Sequence, residues 1–130
     1  MTTLLDTSAV IGFDRRFDDH FDVDDEFAVS AVTVGELAYG LDTATGAEQE
    51  FRQVRLDDVV RYFEVIPFGV EEAKLYGVLA RLVRAAGRNP RPRRLDLQIA
   101  ATAAAARLPL ATANPRDFVG LGGLVEVIGI

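Results

Sequence analysis

The strongest constraint in this chain is a repeated switch of hydrophobic period. Short apolar runs of strand length alternate with longer stretches whose apolar residues recur at helical spacing. Thr3-Leu4-Leu5, Phe27-Ala28-Val29, Glu64-Val65-Ile66, Leu110-Ala111 and Leu124 to Ile128 are the strand candidates. Between them the pattern predicts helices from Ser30 or Thr33 to about Leu41, from Glu48 to Phe63, from Val70 to Ala86 and from Leu95 to Arg107, with Thr7 and Ser8 as caps of a brief helix after the first strand. In the second of these, Leu56, Val59, Val60 and Phe63 form the apolar face. Gly87 stops the third, and Asn89, Pro90 and Pro92 force a loop before the alanine-rich fourth, which Asp96 opens. Such alternation favours an α/β fold, a mostly parallel sheet covered by helices, over a bundle or a sandwich.

With 130 residues, 49% of them apolar, the chain has the size and the core of one domain spanning 1–130. No repeat, linker or low-complexity segment divides it. Cysteine is absent, which excludes disulfides, thiolate metal sites and cysteine nucleophiles. The start of the chain lacks a basic segment followed by an apolar run, and no apolar stretch approaches the ~20 residues of a membrane span, so a cytoplasmic protein is expected. His20, the one histidine, lies among Asp18, Asp19 and Asp22 and meets no zinc-ligand pattern.

The net charge of −6 argues at first against nucleic acid as a partner. Its distribution reverses that inference. From Ala73 to Leu95 the chain carries Lys74, Arg81, Arg84, Arg88, Arg91, Arg93 and Arg94 and no acid, whereas Asp14 to Glu26 is strongly acidic. An acidic total can hide a basic face.

Four acids fall where a parallel α/β fold would gather them. Asp6 ends the first strand, Glu36 sits in the next helix, Asp96 opens a late helix and Asp117 follows a late strand. Taken singly, each has an ordinary explanation as a cap, a helix-dipole partner or a solvated side chain. Their flanks say more: Asp6 follows Leu4-Leu5, and Asp96 precedes Leu97, Ile99 and Ala100, so both stand at the core boundary, where unpaired charge is costly. Carboxylates packed together repel, and a divalent cation is the simplest way to keep them ionised. Oxygen ligands suit magnesium or manganese, and the matching chemistry is metal-assisted phosphodiester hydrolysis.

Four segments carry a resemblance: Leu4-Leu5-Asp6-Thr7-Ser8; Ser30-Ala31-Val32-Thr33-Val34-Gly35-Glu36-Leu37; Leu95-Asp96-Leu97-Gln98-Ile99-Ala100-Ala101-Thr102-Ala103; and Ala111-Thr112-Ala113-Asn114-Pro115-Arg116-Asp117-Phe118. In order and spacing they resemble the PIN domains, and among these the VapC-type toxins of bacterial toxin–antitoxin pairs. The resemblance implies a three-layer PIN-like fold and a Mg2+- or Mn2+-dependent endoribonuclease acting on single-stranded RNA. It implies Asp6, Glu36, Asp96 and Asp117 as the acidic site, with Asp6 and Asp96 as direct metal ligands. Ser8, Thr112 and Asn114 would support them, and either Asn114 or Asp117 would serve from the last motif. Homodimers, and inhibition by a VapB-type antitoxin whose tail covers the acids, are further implications. Arg91, Arg93 and Arg94, next to Asp96, are candidates to hold the RNA backbone; their plainer reading is a solvated face.

Two other classes compete. A receiver- or phosphatase-like phosphoryl-transfer domain also has an Asp after its first strand, but a nucleophilic Asp-x-Asp motif would need an acid at Ser8, and the only lysine, Lys74, lies in a mid-chain helix. A catalytically inactive PIN-like module would keep the fold and lose an acid; none is missing.

Overall fold

The computed structural model describes residues 1–13, 21–22 and 24–130. His20 and the acids Asp14, Asp18 and Asp19 lie outside the described residues.

Five strands form one sheet: β1 (Thr2–Leu5), β2 (Glu26–Ser30), β3 (Glu64–Ile66), β4 (Leu110–Thr112) and β5 (Val127–Gly129), in the order β3-β2-β1-β4-β5. Every pairing is parallel, with Leu4 opposite both Ala28 and Leu110. The helices are α1 (Thr7–Ile11), α2 (Ala31–Tyr39), α3 (Gly46–Tyr62), α4 (Val70–Ala85) and α5 (Arg94–Ala106), with short 3-10 turns at Gly40–Thr43, Arg91–Arg93 and Pro115–Phe118.

The two-residue period of the strands divides the core into two layers. On one face Leu4, Ala28 and Leu110 pack with Leu79 and Val83 of α4 and Leu97, Ile99 and Ala100 of α5. On the other, Leu5, Val29 and Ala111 pack with Ala9 and Val10 of α1, Leu37 of α2 and Val59 of α3. Strands covered on both sides read as short, continuous apolar runs, as a parallel sheet requires. In α5, Ala100, Ala101 and Ala103 are fully buried, so small side chains let this helix lie close against its neighbours.

Most expected elements are present, with three corrections. The cap of α1 is neither Thr7 nor Ser8 but Asp6, which accepts from the Ala9 amide; both hydroxyl residues lie inside the helix. The last strand starts at Val127 and not at Leu124, because the chain before it turns through Gly120, Gly122 and Gly123, all at positive φ. At Gly122 a Cβ would also meet Leu82 Cδ1 at 3.1 Å. Val60, expected in the apolar face of α3, is 54% exposed, and Phe51, Val54 and Tyr62 on that helix are exposed too, so only Val59 is buried there.

Replacing Ala100 with Leu should force atoms into a filled contact and cost about 1–3 kcal/mol. Urea denaturation reads this as a lower midpoint at unchanged slope. An unchanged midpoint would mean that α5 is not seated as closely as its burial indicates.

Candidate active site

The strand order places the switch of direction at β1: the chain leaves it toward β2 and β3 on one side, and later returns to β4 and β5 on the other. In open α/β sheets the crevice beyond the carboxyl ends of such strands is where ligands sit. Asp6 leaves β1 there, and Thr112 ends β4 beside it.

Asp6 is only 4% exposed, and three groups satisfy its carboxylate. Oδ1 accepts from the Ala9 amide at 2.8 Å and from Ser8 Oγ at 2.7 Å, and Oδ2 accepts from Thr112 Oγ1 at 2.5 Å. Ser8 Oγ accepts in turn from the Ala113 amide at 3.0 Å, and Thr112 Oγ1 from the Asn114 amide at 3.0 Å. These bonds lock the ends of β1 and β4 into one unit. They also leave neither oxygen of this buried carboxylate without a donor.

Glu36 reaches the same crevice from α2. Ser30 caps that helix by accepting from the Val32 amide at 3.1 Å, and its hydroxyl also lies 3.0 Å from Thr102 of α5. Thr7 Oγ1 donates to Glu36 Oε1 at 2.8 Å and lies 3.2 Å from the hydroxyl of buried Thr33. Thr7 and Thr33 are therefore site residues that sequence reasoning missed. The signal was available for Thr33, which stands one helical turn before Glu36 and so shares its face.

Asp96 lies in the first turn of α5 and Asp117 in the 3-10 turn after β4. The Asp96 carboxyl is pushed up from its ordinary value of 3.8 to about 6, chiefly by burial and then by the charges of Asp117, Glu36 and Asp6. All four expected acids thus meet in one field. Arg93 opposes the shift: its guanidinium lies 2.9 Å from Asp117 Oδ1 and 3.7 Å from Asp96 Oδ2. Arg93, one of three arginines expected to hold RNA, is a counter-cation of these acids in the fold. Arg91 and Arg94 remain outside the acid cluster, with Arg94 Nη1 donating to the Arg91 carbonyl at 3.3 Å. Asn114 contributes its backbone amide to Thr112, whereas Asp117 acts on Asp96 through its charge.

The donor set is oxygen throughout, which suits a hard divalent cation. Among the described residues no group of three acids is close enough to hold an ion alone. Magnesium needs no such cage, because it keeps several waters and binds through one or two carboxylates. A like-charge cluster that pushes Asp96 up to about 6 is the arrangement such a cation relieves, and Asp6 and Asp96 fit it.

A parallel α/β sheet with Asp96 in the field of Asp117, Glu36 and Asp6 points to a class of protein, and the comparison with known families agrees: the PIN domain matches residues 3–123, and the chain belongs to the PIN-domain family. Within it the chain is similar to Ribonuclease VapC4 of Mycobacterium tuberculosis, at 36% identity over 130 residues, covering 98% of this chain and 95% of that protein. Ribonuclease VapC5 of the same organism is 31% identical over 126 residues, covering 95% and 90%. The solved structure of VapBC-5, a toxin–antitoxin system of M. tuberculosis, superposes with a TM-score of 0.82 at 31% identity over 99% of this chain and 98% of that one. VapBC-1 of nontypeable Haemophilus influenzae shares the fold, with a TM-score of 0.78 at 22% identity over 99% and 98%.

The raised pKa of Asp96 carries a stability consequence of definite sign. The fold holds this proton more tightly than the unfolded chain does, so the group favours folding below about pH 4 and becomes a cost as pH rises through about 6. In chelator near pH 8, Asp96→Asn should therefore stabilise the protein, by on the order of 2 kcal/mol, and the gain should fade as pH falls toward about 4. Thermal melts at the two pH values test this. A variant less stable than wild type at both would mean that the Asp96 charge is not a burden in the fold.

Proposed function

We propose that this chain is a divalent-metal-dependent endoribonuclease, the toxin of a toxin–antitoxin pair, acting in the cytoplasm as a homodimer and neutralised by a VapB-type antitoxin. The observation that supports the proposal is the placement of Asp6 at the end of β1 beside Thr112 of β4, with Asp96 in the field of Asp117, Glu36 and Asp6. The names of the relatives, ribonucleases and toxin–antitoxin complexes, support the same reading.

Asp6 and Asp96 would hold Mg2+ or Mn2+, which lowers the pKa of a bound water and neutralises charge on the attacked phosphate. The chain's own residues do the positioning. Ser8, Thr112 and the Ala9 amide fix the Asp6 carboxylate, Thr7 aims Glu36, and Arg93 holds Asp117 while partly neutralising Asp96. Asp6 spends both oxygens on these donors, an arrangement suited to a fixed ligand and poorly suited to a phosphoryl-accepting nucleophile.

The partner-binding half of the reading has its own support. Val10, Ile11, Phe51, Val54 and Tyr62 line an apolar groove of about 470 Å3, and the last three are more than half exposed. Contiguous exposed apolar surface of this kind marks protein interaction sites. Among the described residues no helix is long and apolar enough to cross a membrane.

Purified protein should cut single-stranded RNA, lose that activity in EDTA and regain it on addition of magnesium or manganese. Metal should also raise the melting temperature, because it binds the folded state. Cleavage that persists in chelator would overturn the metal-dependent mechanism. Asp6→Asn and Asp96→Asn should each lower cleavage by about a hundredfold or more while the protein stays folded, since an amide keeps the shape and loses the charge that holds the cation. Near-wild-type rates in either variant would remove that residue from the site. Metal binding without any cleavage by the wild type would mark the chain as an inactive PIN-like module.

A further inference from the structure

Beside the acids a second feature stands out by its charge. A cavity of about 180 Å3 opens where Asp117 and Arg93 form part of its wall, so it adjoins the acidic crevice directly. Arg88 from the loop after α4 and Arg116 from the 3-10 turn that holds Asp117 line it as well, which brings three arginines to one cavity. The one acid in that wall is Asp117, and Arg93 already takes it at 2.9 Å. Arg88 and Arg116 have no ion-pair partner among the described residues.

That placement stands out in a chain of net charge −6, where acids are plentiful and yet none among the described residues pairs with these two exposed cations. An anion seated between Arg88 and Arg116 would be attracted by both at once, and Arg93 leaves no carboxylate in the wall unpaired to compete for them. The floor of the cavity is apolar, with Val83 and Leu97 both buried. Its size matches a small group: a cavity of about 150 Å3 accommodates one benzene-sized molecule, so a phosphate with part of its ribose fits and a whole nucleotide does not. No aromatic side chain lines it to stack a base.

We propose that this cavity is a phosphate subsite for the RNA strand, in which Arg88 and Arg116 grip the backbone of a nucleotide next to the bond cleaved at the acids. The inference rests on the ribonuclease reading above and adds to it a place and two residues. Arg91 and Arg94 do not line the cavity. The grip is through charge and carries no base recognition, so it supplies affinity and register without sequence preference.

The test is binding of a short, fluorescently labelled single-stranded oligoribonucleotide by Asp6→Asn protein over a salt series. Adding Arg88→Ala and Arg116→Ala should weaken binding about tenfold and flatten the log–log salt dependence by about 1.4, or roughly 0.7 per lost single-strand phosphate contact. The charge-matched control, Arg61→Ala with Arg81→Ala, should change both far less. Equal losses in the two double variants would reduce the effect to net charge and overturn the subsite. Unchanged RNA affinity with weakened binding of an acidic peptide would assign the cavity to a protein partner, and would overturn it equally. If the Asp6→Asn parent binds RNA normally and the Arg88, Arg116 variant matches it, only the subsite fails. If the parent binds no RNA and the wild type cuts none, the ribonuclease reading itself falls.

Discussion

The carboxylate of Asp6 is the interaction on which the site depends. A buried carboxylate at the end of a central strand needs partners for its oxygens, and here the neighbouring sequence provides them: the Ala9 amide of α1, Ser8 two residues on, and Thr112 from the strand alongside. One residue therefore caps a helix, joins β1 to β4 and points a fixed negative charge at the crevice. Helix α1 has only five residues, too few for helical propensity alone to sustain, and this cap together with buried Ala9 and Val10 holds it in place. The fold cannot relax the site without also loosening its central pair of strands.

Asp96 shows the opposite economy. Its surroundings disfavour its charge through burial and three neighbouring carboxylates, and only Arg93 acts against them. A sequence selected for stability alone would place an amide or an apolar residue in the first turn of α5. Retaining the acid there makes functional sense if a cation is to be bound, because the electrostatic work of assembling the cluster is returned when positive charge arrives. Arg93 fits this account as a counter-charge on the surface side, 51% exposed and attached to the loop that precedes α5.

Much of this was legible in the sequence because it is carried by period and by chemistry at element ends. The alternation of strand-length apolar runs with helical stretches foretold all five strands, and Asp117, Glu36 and Asp6 each act by charge on Asp96. What remained hidden depends on three-dimensional partners. Asp6 is the cap because the helix already starts at Thr7, directly after β1, and Ser8 donates its hydroxyl to Asp6 and so supports the cap from inside the helix. Val60 follows Val59 and so points away from the core side, while the exposed apolar groups along α3 belong to a groove and not to the core. Glycines at positive φ shortened the last strand. The arginine tract could be recognised as basic, but not that Arg93 would fold back onto the acids, since sequence gives proximity along the chain and not the direction of a side chain.

The charge pattern as a whole follows from phosphodiester chemistry. A phosphate undergoing attack needs cations around it and, through the metal, carboxylates behind those cations, so a site built from acids alone would repel the polyanion it must hold. The chain meets both needs by separating the signs along its length: acids at strand and helix ends, where the sheet gathers them, and arginines in the loop between α4 and α5 and in the turn after β4, where the same topology brings them alongside. Asp117 and Arg116 are adjacent in sequence, and the same cavity is lined by both. A net negative protein can thus present unpaired positive charge directly beside its acids.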